Sequence, residues 1–127
     1  MSSLSKLNLD GCRLGPDGGR ALSEVVVAEK LPRLRRLDAS KTQLRDEGVR
    51  ALTESWMRRH PPPLHHLSLE TSLLTGAATA PLLALVASKR MPSLETVALC
   101  GNAGIDERLY IDERSRRLLD AAFPDVF

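Results

Sequence analysis

The stretch Leu4-Ser5-Lys6-Leu7-Asn8-Leu9-Asp10-Gly11-Cys12-Arg13-Leu14 begins a pattern that recurs every 30 residues. A shift of 30 residues superposes three apolar columns: Leu4, Leu34, Leu64, Leu94; Leu7, Leu37, Leu67, Val97; and Leu9, Ala39, Leu69, Leu99. The agreement continues through Leu14, Leu44 and Leu74, and through Leu22, Leu52 and Leu82. The pattern predicts a single domain over residues 1–127 with four repeats, approximately 4–33, 34–63, 64–93 and 94–125.

Each repeat is predicted to contain one strand followed by one helix. Leu7-Asn8-Leu9 alternates as a half-buried strand does, whereas Leu22 and Val26 are four residues apart, as on one helix face. Helix starts are expected near residues whose side chains can accept from first-turn amides, namely Asp17, Asp46 and Thr75. Pro81 predicts a third helix that starts late or bends. Trp56 shares the column of Val26 and Val86, so it is predicted to fill the core.

The motif Leu4-x-x-Leu7-x-Leu9-x-x-Cys12-x-Leu14-x-x-x-Gly18 has a second copy from Leu34 to Gly48 and resembles the long, helical leucine-rich repeats of ribonuclease inhibitor. The resemblance implies an α/β solenoid of four strand-helix units, with a parallel sheet on the concave face and helices on the convex face. It also implies a buried turn column that bonds to adjacent backbone: Cys12, Thr42, Ser72 and Asn102. The departures are Ala39, Val97, Ala78 and a longer fourth unit with Gly104 and Ile105, whose helix register is the least defined.

Neither end of the chain carries an evident polar cap. The chain opens almost directly on the first strand, and residues 123–127 look like the start of a fifth unit. Solenoids need polar terminal units to cover core and strand edges. We therefore expect either a section of a longer protein or ends that pack against another chain, including self-association through uncapped ends.

The outward positions of the strands form the candidate binding face. Its columns are Lys6, Arg36, His66, Thr96; Asn8, Asp38, Ser68, Ala98; and Asp10, Ser40, Glu70, Cys100. The predicted protein-binding residues are Lys6, Asn8, Asp10, Arg36, Asp38, Ser40, His66, Ser68 and Glu70. The leading hypothesis is a protein-interaction module that binds a protein partner through this face. The alternative is an architectural segment of a larger multi-repeat protein, in which the ends or the convex helices make the contacts.

Catalysis is not expected, although His66-x-Ser68-x-Glu70 carries the residue types of a serine hydrolase. Residues two apart on a strand stand roughly 6.5 to 7 Å from each other, beyond the hydrogen-bond reach of a nucleophile and its base. His60, His65 and His66 show no recognised metal-ligand spacing. The sequence therefore predicts no enzyme, no metal and no cofactor.

Composition and charge narrow the class of partner. The 18 Lys+Arg against 16 Asp+Glu leave a net charge of +2, and aromatic residues make up only 3%, so no nucleic-acid partner is expected. No apolar run is long enough for a membrane span. Two cysteines favour a cytoplasmic, reducing compartment. Both are predicted to be free thiols, with Cys100 on the sheet face reacting faster than Cys12 in a buried turn.

Overall fold

The computed structural model describes residues 3–99 and 101–102. Four short strands alternate with three helices along this part of the chain: β1 (Lys6–Asn8), α1 (Gly15–Val25), β2 (Arg36–Asp38), α2 (Arg45–Arg58), β3 (His66–Ser68), α3 (Gly76–Ala87) and β4 (Thr96–Ala98). The predicted succession of strand and helix is confirmed over these residues. The helix predicted within 94–125, the register of that unit and the position of Cys100 lie outside the described residues.

The strands form one parallel sheet in the order β1-β2-β3-β4. Lys6 pairs with Arg36, Arg36 with His66, and His66 with Thr96, so each residue lies beside the residue 30 positions away. Leu37, Leu67 and Val97 point from the strands into a core that also contains Leu52 and Leu82 of the helices. The 30-residue period of the sequence is therefore also the offset between paired residues in neighbouring strands.

Close contacts between helices hold neighbouring repeats together. A Cβ atom added to Gly19 of α1 would lie 2.6 Å from the Cα atom of Gly48 in α2, so glycine permits this approach of two backbones. Near the end of α1, Ser55 Oγ and Trp56 Nε1 each donate at 2.8 Å to the carbonyls of Ser23 and Val26, respectively. These α2 side chains satisfy acceptors that a helix end leaves without intrahelical partners.

An arginine repeats this arrangement one unit further on. Arg90 Nε donates to Trp56 O at 2.8 Å, and its Nη2 donates to Arg59 O at 3.0 Å. A cation at the C-terminal end of α2 also complements the helix dipole. Trp56 is fully buried, as its column predicts, and in addition it lies between two inter-repeat hydrogen bonds.

The predicted helix starts are close to the observed ones, but the capping roles assigned to two aspartates are wrong. Leu14 and Leu44 occupy the cap positions of α1 and α2 without side-chain cap bonds. Asp46 instead accepts from the backbone N and Oγ1 of Thr75 in the next repeat, at 2.8 and 2.6 Å. Of the three predicted cap residues of α1, α2 and α3, only Thr75 caps its own helix, accepting from Ala77 N at 3.2 Å. The proximity of the next repeat to Asp46 redirects its carboxylate.

Pro81 does not delay the start of its helix. α3 begins at Gly76, directly after the Thr75 cap, and continues through Pro81 to Ala87. The prediction of a late start is therefore wrong, because proline removes one interior amide donor while the Thr75 cap still fixes the first turn.

The first repeat is less buried than its columns predict. Leu4 is exposed and Leu7 and Leu9 are half-buried, whereas Leu34, Leu37 and Leu64 are completely covered. Cys12 is likewise exposed, which corrects its prediction as a buried turn residue, while Thr42, Ser72 and Asn102 of the same column are buried. The physical reason is that β1 has a described neighbour on one side only.

Candidate functional site

The open face of the sheet is the side opposite the helices. Six of the nine predicted binding residues lie on its strands, and Asp10, Ser40 and Glu70 lie in the turns that follow them. Leu7, Leu37 and Leu67 turn toward the core, so the residues on either side of each leucine point away from it. Lys6, Asn8, Asp10 and Arg36 are exposed, and Asp38, His66 and Glu70 are half-buried. The structure thus brings the charged members of the predicted set together on one surface.

Ser40 and Ser68 do not belong to the accessible part of the open face. Each is 6% exposed, and their Oγ atoms lie 2.6 Å apart in a hydrogen bond across two strands. Strands spaced about 4.8 Å apart allow the longer side chains around a serine to cover it. The prediction that these serines contact a partner is therefore corrected, because their hydroxyls bond to each other.

Asn8 and Asp38 also have a structural role that their assignment to the binding face did not predict. Asn8 Oδ1 accepts from Asp10 N at 2.9 Å, and Asp38 Oδ1 accepts from Ser40 N at 3.0 Å. Both bonds close the same two-residue turn where the chain leaves its strand. The sequence could have predicted these bonds, because Asn and Asp side chains commonly accept from the amide two residues ahead at such turns. One carboxylate oxygen of Asp38 is therefore already engaged in the turn.

Opposing charges surround His66 on the open face. Burial of the imidazole, and then the positive charge of Arg36, hold the pKa of His66 below its ordinary value of 6.5. The negative charges of Asp38 and Glu70 act in the opposite direction and do not reverse this shift. His66 therefore presents a neutral imidazole to solvent at pH 7.

The lowered pKa of His66 predicts a stability that falls in acid. Below about pH 6.5 the unfolded chain binds a proton at this position more readily than the folded chain, so acidification favours unfolding until the folded pKa is passed. We expect His66→Asn to reduce the loss of unfolding free energy between about pH 7 and about pH 5. Urea denaturation at both pH values checks this, and equal losses in wild type and variant would contradict it.

The hydroxyl of Ser68 is held by Ser40, and no hydrogen bond joins His66 to Ser68 or to Glu70 within residues 3–99. In the same described part of the chain, no group of three or more His, Cys, Asp or Glu side chains is placed to hold a metal ion. The open face presents charges and hydrogen-bonding groups to solvent. Such a surface can pair with a complementary surface of another molecule.

None of the helices in the described residues has the length and apolar character needed to cross a membrane. A family model described as Leucine Rich repeat matches residues 1–23, which cover β1 and most of α1. A search of curated proteins finds no match. The match, the four-stranded parallel sheet and the three helices support a leucine-rich repeat protein with an α/β fold. Leucine-rich repeat domains generally mediate protein–protein interactions.

Proposed function

We propose that the protein is a protein-interaction module that binds a protein partner through the open face of its sheet. The observation that carries this proposal is a row of charged side chains that no ion pair joins to one another. Lys6, Arg36 and Asp38 lie on neighbouring strands held in register and Glu70 lies in the turn after β3, yet none has an oppositely charged group within 4.0 Å among the described residues. Unpaired charges on a rigid backbone can pair with a partner at little conformational cost.

Within the repeat proteins, we place the chain in the long, helical class found in ribonuclease inhibitor, arranged as a solenoid. Support comes from the 30-residue interval and from the α-helix in each of the first three repeats. We further propose a non-enzymatic, cytoplasmic protein with no nucleic-acid partner. The engaged Ser68 hydroxyl, the low cysteine content and the mixed charge of the open face support these three points, respectively.

A charge exchange on the open face tests the interaction. Arg36→Glu combined with Glu70→Lys keeps the net charge and leaves the turn bond of Asp38 intact. We expect partner recovery in quantitative affinity purification to fall at least about tenfold, because each reversed side chain would then face a like charge of the partner. The matched control exchanges Arg50→Glu and Glu54→Lys, which are exposed on α2. Unchanged recovery of every partner with the open-face variant would contradict the proposal.

An architectural segment is the second candidate, and the exposed side chain of Leu4 favours it. Leu4 precedes β1 and is exposed, and Leu7 and Leu9 of the same repeat are half-buried, so this repeat carries apolar surface that another chain or a second copy could cover. Loss of assembly in a Leu4→Lys variant, with no effect of the open-face exchange, would select this candidate. Sedimentation velocity separates self-association from binding of a different chain.

A further inference from the structure

We propose that the partner contributes an acidic segment, rich in Asp or Glu, to a groove at the entrance of strands β1 and β2. This inference rests on the proposed function and specifies the chemistry of the partner. The basic groove has a volume of about 760 Å³ and is lined by four cations, Lys6, Arg33, Arg35 and Arg36, together with Pro32 and Pro63. No Asp or Glu side chain lines the groove in the part of the chain that the structure describes.

The four cations have no neutralising partners among residues 3–99 and 101–102. Lys6, Arg33, Arg35 and Arg36 are all exposed, and within the described residues none makes a salt bridge. Four like charges around one groove repel one another, so bound carboxylates would relieve that repulsion. Arginine also offers two parallel donors to a carboxylate, which lysine does not.

The backbone beneath the groove is held in place by hydrogen bonds between strands. The amides of Arg35 and Arg36 both donate to Ser5 O, at 2.8 and 3.1 Å. The amides of His65 and His66 both donate to Arg35 O, at 2.7 and 3.1 Å. Arg35 and Arg36 therefore project from a backbone held in place by β1 and β3, and at these two positions binding needs only the side chains to become ordered.

Charge changes sign around the groove and limits the size of an anionic ligand. Glu95 lies at its edge, with its carboxylate 3.7 Å from Nδ1 of the lining residue His65, and Asp38 and Glu70 follow toward the other end of the strands. A long polyanion that left the groove would meet these carboxylates. Among the described residues that line the groove, none is Phe, Tyr or Trp, and the imidazole of His65 is the one ring that could stack against a base. These features favour a short acidic peptide segment over nucleic acid.

Fluorescence anisotropy with the whole chain and a labelled peptide of six glutamates tests the inference. We expect a Kd on the order of 100 µM at low salt, because exposed ion pairs each contribute little. Raising NaCl from about 50 to about 500 mM should weaken binding about tenfold or more through screening. A matched peptide of six glutamines should bind at least about tenfold more weakly.

Two charge reversals locate the binding. Arg33→Glu with Arg35→Glu removes groove cations that are not among the nine open-face residues, and we expect it to weaken glutamate binding about tenfold. Arg13→Glu with Arg50→Glu changes the net charge equally at exposed positions outside the groove, and binding should stay within about twofold. Circular dichroism verifies that both variants fold.

Three results would overturn the acidic-segment inference: no glutamate binding at about 1 mM, binding that both variants weaken equally, or an octathymidylate or phosphoserine peptide that binds about tenfold more tightly. The proposed function is judged separately by the Arg36 and Glu70 exchange. If that exchange abolishes partner recovery while the groove variant binds glutamate as wild type does, the open face stands and the acidic segment does not.

Discussion

Trp56→Ala should lower the free energy of unfolding by about 3 to 5 kcal/mol, the usual cost of truncating a large buried aromatic side chain. The Trp56 side chain is completely buried, and its Nε1 atom donates to Val26 O at 2.8 Å. The truncation therefore leaves both a cavity and an unpaired carbonyl at the end of α1. Trp56→Phe keeps most of the volume and loses the donor, so we expect a smaller loss of about 1 to 3 kcal/mol.

Met57→Ala provides the matched control for the tryptophan variants. Met57 is the next residue in α2, but its side chain is 43% exposed, so its truncation should change the unfolding free energy by less than about 1 kcal/mol. Urea denaturation should be followed by circular dichroism and not by fluorescence, because both Trp56 variants remove the chain's one tryptophan. Equal losses for Trp56→Ala and Met57→Ala would contradict the structural role of the indole.

Asn102→Ala should cost about 3 kcal/mol or more, because it removes four hydrogen bonds to buried backbone atoms. Asn102 Oδ1 accepts from Ser72 N at 2.9 Å and from Leu74 N at 3.0 Å. Its Nδ2 atom donates to Leu69 O and Leu99 O, both at 2.9 Å. Asn102→Asp should also destabilise strongly, since a carboxylate oxygen would then face two carbonyl oxygens.

Thr42→Val supplies a graded comparison in the same turn column. Thr42 Oγ1 donates to Ala39 O at 2.6 Å. Ser72 Oγ can donate its single proton either to Ala39 O, at 3.0 Å, or to Glu70 O, at 3.1 Å, so a donor for Ala39 O remains within reach in the variant. A loss of about 1 kcal/mol is expected from the unfolding curve. If Asn102→Ala were no more destabilising than Thr42→Val, the number of buried backbone bonds would not determine the cost in this column.

The repeated apolar columns made the fold predictable, because burial and register follow the same 30-residue interval. Leu37, Leu67 and Trp56 are buried as their columns require. The errors arise where neighbouring repeats decide the outcome. Asp46 bonds to Thr75 of the next repeat instead of capping its own helix, and no local pattern contains that contact.

The candidate site was predictable in its charged members and not in its small ones. Alternation along each strand placed Arg36 and Glu70 on the open face. In the structure Arg36 is exposed on β2, and Glu70 lies in the turn after β3, near enough to His66 to affect its pKa. The same alternation could not show that Ser40 and Ser68 bond to each other. Strand periodicity predicts the face to which a side chain points, but it does not predict how far neighbouring side chains bury it. Arg33 and Pro32 were missed as groove residues because they precede the strand.

Backbone pairing between strands makes the repeat a unit that can be exchanged whole. Ser5 O accepts from the amides of Arg35 and Arg36, and Arg35 O accepts in the same way from His65 and His66. An insertion or deletion of one complete repeat would recreate those bonds between new neighbours, whereas the loss of a single strand residue would turn apolar side chains toward solvent. Recombination between repeats can thus change the order of charges offered to partners while preserving the hydrogen bonds that join the strands.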